Sequence, residues 1–120
     1  MSAAQFKLSN VVVFADNNKC MIDGRVDDEM KVEPLDKKFE AFGFDVQTLD
    51  GHDFDAIEAA FARAKTVKGK PSVIIAKTVK GKGVSYMENQ VGWHGTAPNK
   101  KQYETAMQEL TAALHELEGC

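Results

Sequence analysis

Three short apolar runs along the chain predict β-strands. Residues 11–15 and residues 72–76 are continuous runs rich in valine and isoleucine, the pattern of strands covered on both faces. Residues 44–49 alternate more between apolar and polar side chains and are bounded by turn residues on both sides. Because all three runs are short and β-branched, they favour strands over buried helix segments.

Two segments between these strands have apolar positions at helical spacing. Residues 34–42 predict a helix with proline in its first turn and Gly43 just past its end. Asp53 is a good N-cap for a second helix over residues 54–66. The apolar face of this second helix is predicted to consist of Phe54, Ile57, Phe61 and Ala64.

The clearest helix signal lies near the carboxyl terminus. Asn99 and Gln102 have the spacing of a capping box, which predicts that a helix begins there. The apolar stripe predicted for this helix consists of Tyr103, Met107, Leu110, Leu114 and Leu117.

The order of the predicted elements is strand, loop, helix, strand, helix, strand, long loop, helix. Such alternation predicts an α/β fold with a parallel sheet, right-handed crossovers and flanking helices. We expect one domain over residues 1–120, because no repeat or low-complexity linker divides the chain. Three strands form a thin sheet with few helices to cover it. The chain is therefore expected to be a piece of a larger α/β unit, or to be completed by a partner.

Two long connections interrupt the regular alternation, over residues 16–33 and residues 77–98. Each begins at the carboxyl end of a predicted strand, which is the edge where open parallel sheets bind ligands. Long loops within a compact domain are usually functional or disordered. Since both connections contain specific turn residues, we expect them to be functional.

The first connection starts with Asp16-Asn17-Asn18, three residues that offer short oxygen donors. Side-chain amides and backbone carbonyls suit Mg²⁺, which prefers hard oxygen ligands and often retains substrate phosphates. The simpler interpretation is a turn, because Asn and Asp side chains bond to nearby backbone.

The second connection contains Lys80-Gly81-Lys82-Gly83 and, further along, His94. Glycines let the backbone approach a phosphate, and lysine binds phosphate as a point charge. The spacing matches neither a Walker motif nor a dinucleotide fingerprint, so a solvated basic loop is the simpler interpretation. His94 could hydrogen-bond a diphosphate or assist proton transfer, or it could be a structural histidine packed under the preceding tryptophan.

Composition narrows the function classes. The net charge is −3 with a sequence pI of about 5.6, so no basic field attracts nucleic acid or an anionic membrane. No apolar run approaches the ~20 residues that a membrane span needs. The two cysteines, Cys20 and Cys120, are too few for a disulfide framework, and the start of the chain lacks a signal-peptide pattern. We expect a cytoplasmic protein.

Taken in order and spacing, the motifs of this chain are similar to those of one family. They are Lys7-Leu8-Ser9-Asn10, Asp16-Asn17-Asn18, Ile22-Asp23-Gly24, Glu33-Pro34-Leu35, Phe42-Gly43-Phe44, Asp50-Gly51-His52-Asp53, Gly69-Lys70-Pro71, residues 77–85, Met87-Glu88-Asn89 and Trp93-His94-Gly95. The chain resembles the latter part of the thiamine diphosphate-binding half of transketolase. It looks most like the amino-terminal subunit of the split, two-chain transketolases, over nearly its whole length.

The resemblance implies a cofactor site. In that family, thiamine diphosphate binds through Mg²⁺, whose ligands are an aspartate of a G-D-G segment, an asparagine and a main-chain carbonyl. The asparagine corresponds to Asn18 and the carbonyl to that of Cys20. Lys80 and His94 match positions that contact the cofactor or its diphosphate in related enzymes. No residue of this chain is implied as a general base.

The resemblance also implies what this chain lacks. It contains no G-D-G segment, and it lacks the pyrimidine-binding half that supplies the glutamate activating the cofactor. The fold implied is therefore a partial thiamine diphosphate-binding fold, an incomplete three-layer α/β/α arrangement. The partners implied are the upstream part of the domain and the pyrimidine-binding subunit. The complete enzyme would transfer a two-carbon ketol unit between sugar phosphates, and this chain alone is expected to be inactive.

Two alternatives remain open at this point. The chain could be a stand-alone, non-catalytic module that forms a homodimer and derives from the thiamine-binding fold. It could also belong to another thiamine diphosphate enzyme, such as a deoxyxylulose phosphate synthase. The context of Met87-Glu88-Asn89 and Trp93-His94-Gly95 favours transketolase.

Overall fold

The structure is a computed structural model that describes residues 1–119, so Cys120 lies outside the described residues. The chain divides into two compact units. The first comprises Met1–Asn18 and Met30–Thr78. The second comprises Lys19–Glu29 and the described part of Val79–Cys120. The prediction of a single domain over residues 1–120 stays a prediction.

The elements follow the predicted alternation. The strands are β1 (Val12–Asn17), β2 (Asp45–Asp50) and β3 (Ser72–Lys77). The helices are α1 (Ser2–Gln5), α2 (Val26–Glu29), α3 (Leu35–Ala41), α4 (Phe54–Thr66) and α5 (Lys100–Glu118), and a 3₁₀ turn covers Val91–His94. Of these, α2, the 3₁₀ turn and α5 belong to the second unit.

The first unit is built on a parallel sheet with the strand order β1-β3-β2. The middle strand pairs Ile74 with Phe14 on one side and with Gln47 on the other. Every residue of β3 from Ser72 to Ala76 is buried, as a central strand covered on both faces requires. The predicted parallel α/β fold with flanking helices is confirmed.

Local sequence signals fix the helices of the first unit. Pro34 is the N-cap of α3, and Gly43, just past its end, has a φ of +87° that favours glycine. The Asp53 side chain accepts a hydrogen bond from the backbone amide of Ala56, which caps α4. The bounds of α4 are those that the sequence predicted.

The expectation that β1 is covered on both faces is wrong. Val12 and Phe14 remain 38% and 44% exposed, because β1 is an edge strand and α4 packs against β2. Phe14 makes one parallel ring contact with Phe61 of α4, at a centroid distance of 6.0 Å. One face of β1 is therefore apolar and incompletely covered.

The predicted apolar face of α4 is wrong at Phe54, and Phe61 is only partly covered, at 39% exposed. Phe54 is 84% exposed, whereas Ala60 and Ala64 are buried. At 3.6 residues per turn, Phe54 lies roughly a quarter to a third of a turn away from the line of the two alanines. Those small side chains let the helix approach the sheet closely and leave Phe54 outside the contact.

The second unit is dominated by the long helix α5. The predicted capping box is present: the Asn99 side chain accepts from the Gln102 amide, and the Gln102 side chain accepts from the Asn99 amide. In α5, Ala106 is buried, while the five members of the predicted apolar stripe are each exposed. Within the first long connection, Asp27, Asp28 and Glu29 are exposed and lie in the short helix α2, which the sequence analysis did not predict.

Within residues 1–119, none of the helices combines the length and the apolar content that crossing a membrane would require.

Candidate functional site

The carboxyl edge of the sheet gathers polar side chains in the first unit. Asp16, near the end of β1, accepts hydrogen bonds from the Thr78 hydroxyl and, at 3.3 Å, from the Asn18 side-chain amide. The parallel register brings these groups together, since Asn17 is paired with Lys77, the last residue of β3. One carboxylate thus orients Asn18 and ties it to the neighbouring strand.

A second carboxylate holds the residue before Asn18. The Asn17 side chain is 8% exposed and donates a hydrogen bond of 2.8 Å to Glu33. The other oxygen of Glu33 accepts from the Leu35 amide in the first turn of α3. A buried amide with a charged partner is fixed in orientation, so the end of β1 is anchored to α3.

Gly51, the residue that follows β2, lies at the same edge of the sheet. Its amide donates to the Lys77 carbonyl at 2.8 Å. A Cβ at this position would lie 2.4 Å from Cγ2 of Thr78 and 3.0 Å from Cβ of Ala76. Only glycine fits here without displacing Thr78, the residue that holds Asp16.

A short hairpin-like turn over residues 19–26 follows Asn18. Lys19 has a φ of +62°, a left-handed conformation that costs roughly 1–2 kcal/mol for a side chain other than glycine. In the second unit, Cys20 forms an antiparallel bridge with Arg25, and the Val26 amide donates to the Lys19 carbonyl at 3.0 Å. The backbone of Cys20 is therefore held in a defined turn. Strained backbone of this kind is common at ligand-binding sites.

The two predicted metal ligands offer the type of oxygen atom that Mg²⁺ prefers, but neither carries a negative charge. The amide oxygen of Asn18 and the carbonyl of Cys20 are the hard oxygen donors that Mg²⁺ prefers. Both are neutral, and the adjacent carboxylate, that of Asp16, is engaged by Thr78 and Asn18. In the described part of the chain, no three His, Cys, Asp or Glu side chains cluster as a metal site would require. The role of Asn18 and Cys20 as metal ligands stays a prediction.

The loop that carries Lys80 is closed on itself within the second unit. The Asn89 amide donates to the Lys80 carbonyl at 2.9 Å, and the Gly83 amide donates to the Glu88 carboxylate at 3.1 Å. At Gly81, with a φ of +72°, a Cβ would lie 2.6 Å from the Met87 carbonyl oxygen. The glycine is required by this close approach. Lys80 therefore projects from a defined loop, not from a flexible basic tail.

His94 ends the 3₁₀ turn and is exposed. The preceding Trp93 is held by a hydrogen bond of 3.0 Å from its indole nitrogen to the Tyr86 carbonyl. The Trp93 and Tyr86 rings contact each other at a centroid distance of 5.3 Å. The exposure of His94 argues against a histidine packed under that tryptophan, and its predicted contact with the cofactor stays a prediction.

The four predicted site residues lie on two connections. Asn18 follows β1 in the first unit, and Cys20 stands two residues further on in the second. Lys80 and His94 belong to one continuous segment of the second unit.

Sequence reasoning did not identify the contacts that hold the predicted site residues in place. These contacts are made by Asp16 and Thr78 beside Asn18, by Glu33 beside Asn17, and by Glu88 and Glu109 in the second unit, and of these five residues only Glu109 was not singled out in the sequence. The Glu33-Pro34-Leu35 motif was visible in the sequence, but its contact partner was not.

An open cavity of about 570 Å³ lies elsewhere, beside α1 and the turn after α3. Phe6, Phe42 and Gly43 are among the residues that line it. Since Gly43 comes just before β2, this cavity is at the amino edge of the sheet. It is not the predicted cofactor site.

Comparison with known sequences assigns the chain to a family. The family described as "Transketolase, thiamine diphosphate binding domain" matches residues 1–115. The chain is 39% identical over 110 residues to a 6-deoxy-6-sulfo-D-fructose transketolase subunit of Clostridium sp. (strain MSTE9), covering 92% of this chain and 40% of that subunit. It is 36% identical over 118 residues to an apulose-4-phosphate transketolase subunit of Phocaeicola vulgatus, covering 98% and 42%. The chain thus spans about two fifths of these relatives.

Solved structures give the same assignment. Transketolase from Campylobacter jejuni matches with a TM-score of 0.82 and 33% identity, over 90% of this chain and 17% of that enzyme. A variant transketolase of Pichia stipitis, in complex with fructose-6-phosphate, matches with a TM-score of 0.82 and 25% identity, over 90% of this chain and 16% of that enzyme. Fold, sequence motifs and relatives agree, and the chain belongs to the family of transketolase thiamine diphosphate-binding domains.

Proposed function

We propose that this chain is the latter part of the thiamine diphosphate-binding domain of a transketolase. The complete enzyme would transfer a two-carbon ketol unit from a ketose phosphate to an aldose phosphate. The observation that carries this proposal is the family match over residues 1–115, at identities near 40% to chains named as transketolase subunits. The proposed place of action is the cytoplasm, in keeping with a chain that has only two cysteines.

The proposed role of this chain is to hold the cofactor, not to perform the chemistry. The Asn18 side chain and the Cys20 carbonyl would contribute two neutral oxygens to Mg²⁺. Lys80 and His94 would contact the diphosphate, as a cation and a hydrogen-bond donor. Thiamine diphosphate, when bound, supplies the carbanion stabilisation that ketol transfer needs. The protein contributes orientation and electrostatics.

The proposed partners are the upstream part of this domain and a pyrimidine-binding transketolase subunit. Two observations support a partner. The relatives are about two and a half times as long as the matched segment. In addition, β1 is an edge strand with exposed Val12 and Phe14, and edge strands that expose apolar surface are normally covered. A homodimer through the same face is the competing arrangement.

The proposed substrate class is a sugar that carries an anionic group. The names of the two relatives specify a sulfo sugar in one case and a sugar phosphate in the other. This chain would contribute to the cofactor end of such a site.

Reconstitution tests the proposal directly. The purified chain is mixed with the amino-terminal part of a related split transketolase, which carries the G-D-G segment, and with a pyrimidine-binding subunit. We expect ketol transfer from a ketose phosphate to depend on all three polypeptides, on thiamine diphosphate and on Mg²⁺. The Lys80→Ala variant serves as the site control and is expected to reduce transfer. Transfer that is equally fast without this chain would contradict the proposal.

A further inference from the structure

Helix α5 holds the segment that joins Lys80 to His94. Ser85, in the middle of this segment, donates two hydrogen bonds to Glu109 of α5. Its amide donates to Oε2 at 2.7 Å, and its hydroxyl donates to Oε1 at 2.5 Å. Hydrogen bonds to a charged carboxylate are roughly twice as strong as neutral ones. In agreement, the Ser85 hydroxyl and then its amide lower the pKa of Glu109 from the usual value.

Two hydrogen bonds of Tyr86, the residue after Ser85, link α5 to the tryptophan that precedes His94. Tyr86 donates its hydroxyl to the Gln102 carbonyl of α5 at 2.7 Å. The Tyr86 carbonyl in turn accepts the indole hydrogen bond of Trp93, at 3.0 Å. His94 directly follows that tryptophan. The position of His94 therefore depends on where α5 places residues 85 and 86.

Other contacts link Ser85 to Lys80 on the other side of the loop. The Asn89 amide closes the loop onto the Lys80 carbonyl at 2.9 Å, with Asn89 itself at a φ of +57°. The Val84 side chain, next to Ser85, is buried. Leu110 of α5 lies 3.3 Å from the position that a Cβ of Gly83 would occupy. Because the loop is closed and packed in this way, we expect a shift at Ser85 to move Lys80.

We propose that Glu109 is a positioning residue, which sets the conformation of residues 80–89 by holding Ser85 and so determines how Lys80 is presented to a diphosphate. Glu109 acts through Ser85 and through the closed loop. The identity of the diphosphate ligand rests on the proposed function. The conformation of the loop does not, and it can be measured without ligand.

Amide hydrogen exchange of the full chain, followed by NMR, measures the loop without ligand. Glu109→Gln removes the charge but keeps the size of the side chain. We expect the Ser85 and Asn89 amides to exchange about tenfold faster in this variant, because a hydrogen bond to a charged group is lost. The Lys80 signals should shift as well. Glu104→Gln changes the same charge on the same helix and is the matched control, expected to behave like the wild type.

Two results would overturn the proposal. The first is unchanged exchange at Ser85 and Asn89 in Glu109→Gln. The second is faster exchange along the whole of α5, including Ala106, which would show a merely structural role.

Ser85→Ala, which removes only the hydroxyl donor, tests the contact from the other side. This variant should also speed exchange at the Ser85 and Asn89 amides, but by a smaller factor. Unchanged exchange at both amides would count against the proposal.

A second measurement separates this inference from the proposed function. Thiamine diphosphate with Mg²⁺ is titrated, by calorimetry, into reconstituted assemblies that contain the wild-type chain, Glu109→Gln, Glu104→Gln or Lys80→Ala together with the two proposed partner polypeptides. We expect several-fold weaker binding for Glu109→Gln than for Glu104→Gln. If Lys80→Ala binds like the wild type, the proposed cofactor role of Lys80 fails. The exchange experiment still decides whether Glu109 sets the loop.

Discussion

Glu33 holds Asn17 in place across the first connection. The Asn17 side-chain amide donates to the Glu33 carboxylate at 2.8 Å, and the second oxygen of Glu33 accepts from the Leu35 amide at 2.9 Å. One side chain therefore links the end of β1 to the start of α3. The predicted metal ligand, Asn18, is the next residue along the chain, so its backbone is fixed by this link.

Loss of the Glu33 carboxylate should destabilise the chain. In Glu33→Ala, the buried Asn17 amide loses this acceptor, and leaving a buried donor unsatisfied costs about 1–3 kcal/mol. Urea denaturation measures the change in the free energy of unfolding. Glu40→Ala is the control, because Glu40 pairs with Lys37 on the exposed surface of α3 and such pairs contribute under about 1 kcal/mol. Equal losses of unfolding free energy in the two variants would show that the Asn17 contact stabilises the fold no more than an exposed ion pair does.

Gly51 should not tolerate a side chain. In Gly51→Ala, the new Cβ would lie 2.4 Å from Cγ2 of Thr78, and such overpacking costs about 1–3 kcal/mol. Gly92→Ala is the matched control, because no atom lies within 4 Å of its Cβ position, and it should change stability by less than about 0.5 kcal/mol. Thermal and urea unfolding measure both.

A second substitution identifies the cause of the loss at Gly51. Thr78→Ser removes Cγ2 but keeps the hydroxyl that Asp16 accepts from. Combined with Gly51→Ala, it should recover part of the lost stability. The recovery should be incomplete, because the new Cβ still lies 3.0 Å from Cβ of Ala76. If the double variant is no more stable than Gly51→Ala, the contact with Cγ2 of Thr78 is not the cause of the lost stability.

The contact between Glu109 and Ser85 predicts a pH dependence. Ser85 donates to the charged form, so the pKa of Glu109 in the folded chain is lower than in the unfolded chain. The contact then stabilises the fold at all pH values above the unfolded-state pKa. The stabilisation disappears as the pH falls through the lower, native pKa. An NMR titration of the Glu109 carboxyl carbon should give a lower pKa in the wild type than in Ser85→Ala. Identical values would contradict the contact.

The two proposed metal ligands should respond differently to substitution. Asn18→Ala removes a side-chain oxygen and should weaken Mg²⁺-dependent cofactor binding by the reconstituted assembly about tenfold or more. Cys20→Ala keeps the main-chain carbonyl and should leave that affinity nearly unchanged. Calorimetric titration of both variants measures the difference. A large effect of Cys20→Ala with none of Asn18→Ala would contradict the proposed ligand set.

Much of the fold was predictable because its signals are local. Asp53 and the periodicity behind it define α4, and Asn99 with Gln102 defines the start of α5. The buried β3 follows from its continuous apolar sequence. The exposure of Phe14 was not predictable, because the position of β1 at the edge of the sheet depends on strand order, which the run of apolar residues does not encode.

The supporting contacts of the site depend on residues far apart in sequence. Asp16 meets Thr78 only because β1 and β3 are paired in parallel, and Ser85 meets Glu109 only because α5 packs beside the loop. Neither pair has a sequence spacing that could be read as a motif. Asn18, Cys20, Lys80 and His94 were identified by resemblance to a family, and their roles stay predictions.

The central claim is that this chain carries only part of a thiamine diphosphate site. Isothermal titration calorimetry of the purified chain with thiamine diphosphate, with and without Mg²⁺, tests it most directly. Because the two proposed metal ligands are neutral and the sequence has no G-D-G aspartate, we expect no binding, or binding weaker than about 1 mM, near −4 kcal/mol. Tight, Mg²⁺-dependent binding by the isolated chain would contradict the claim, because it would show that the chain completes the site without the proposed partners.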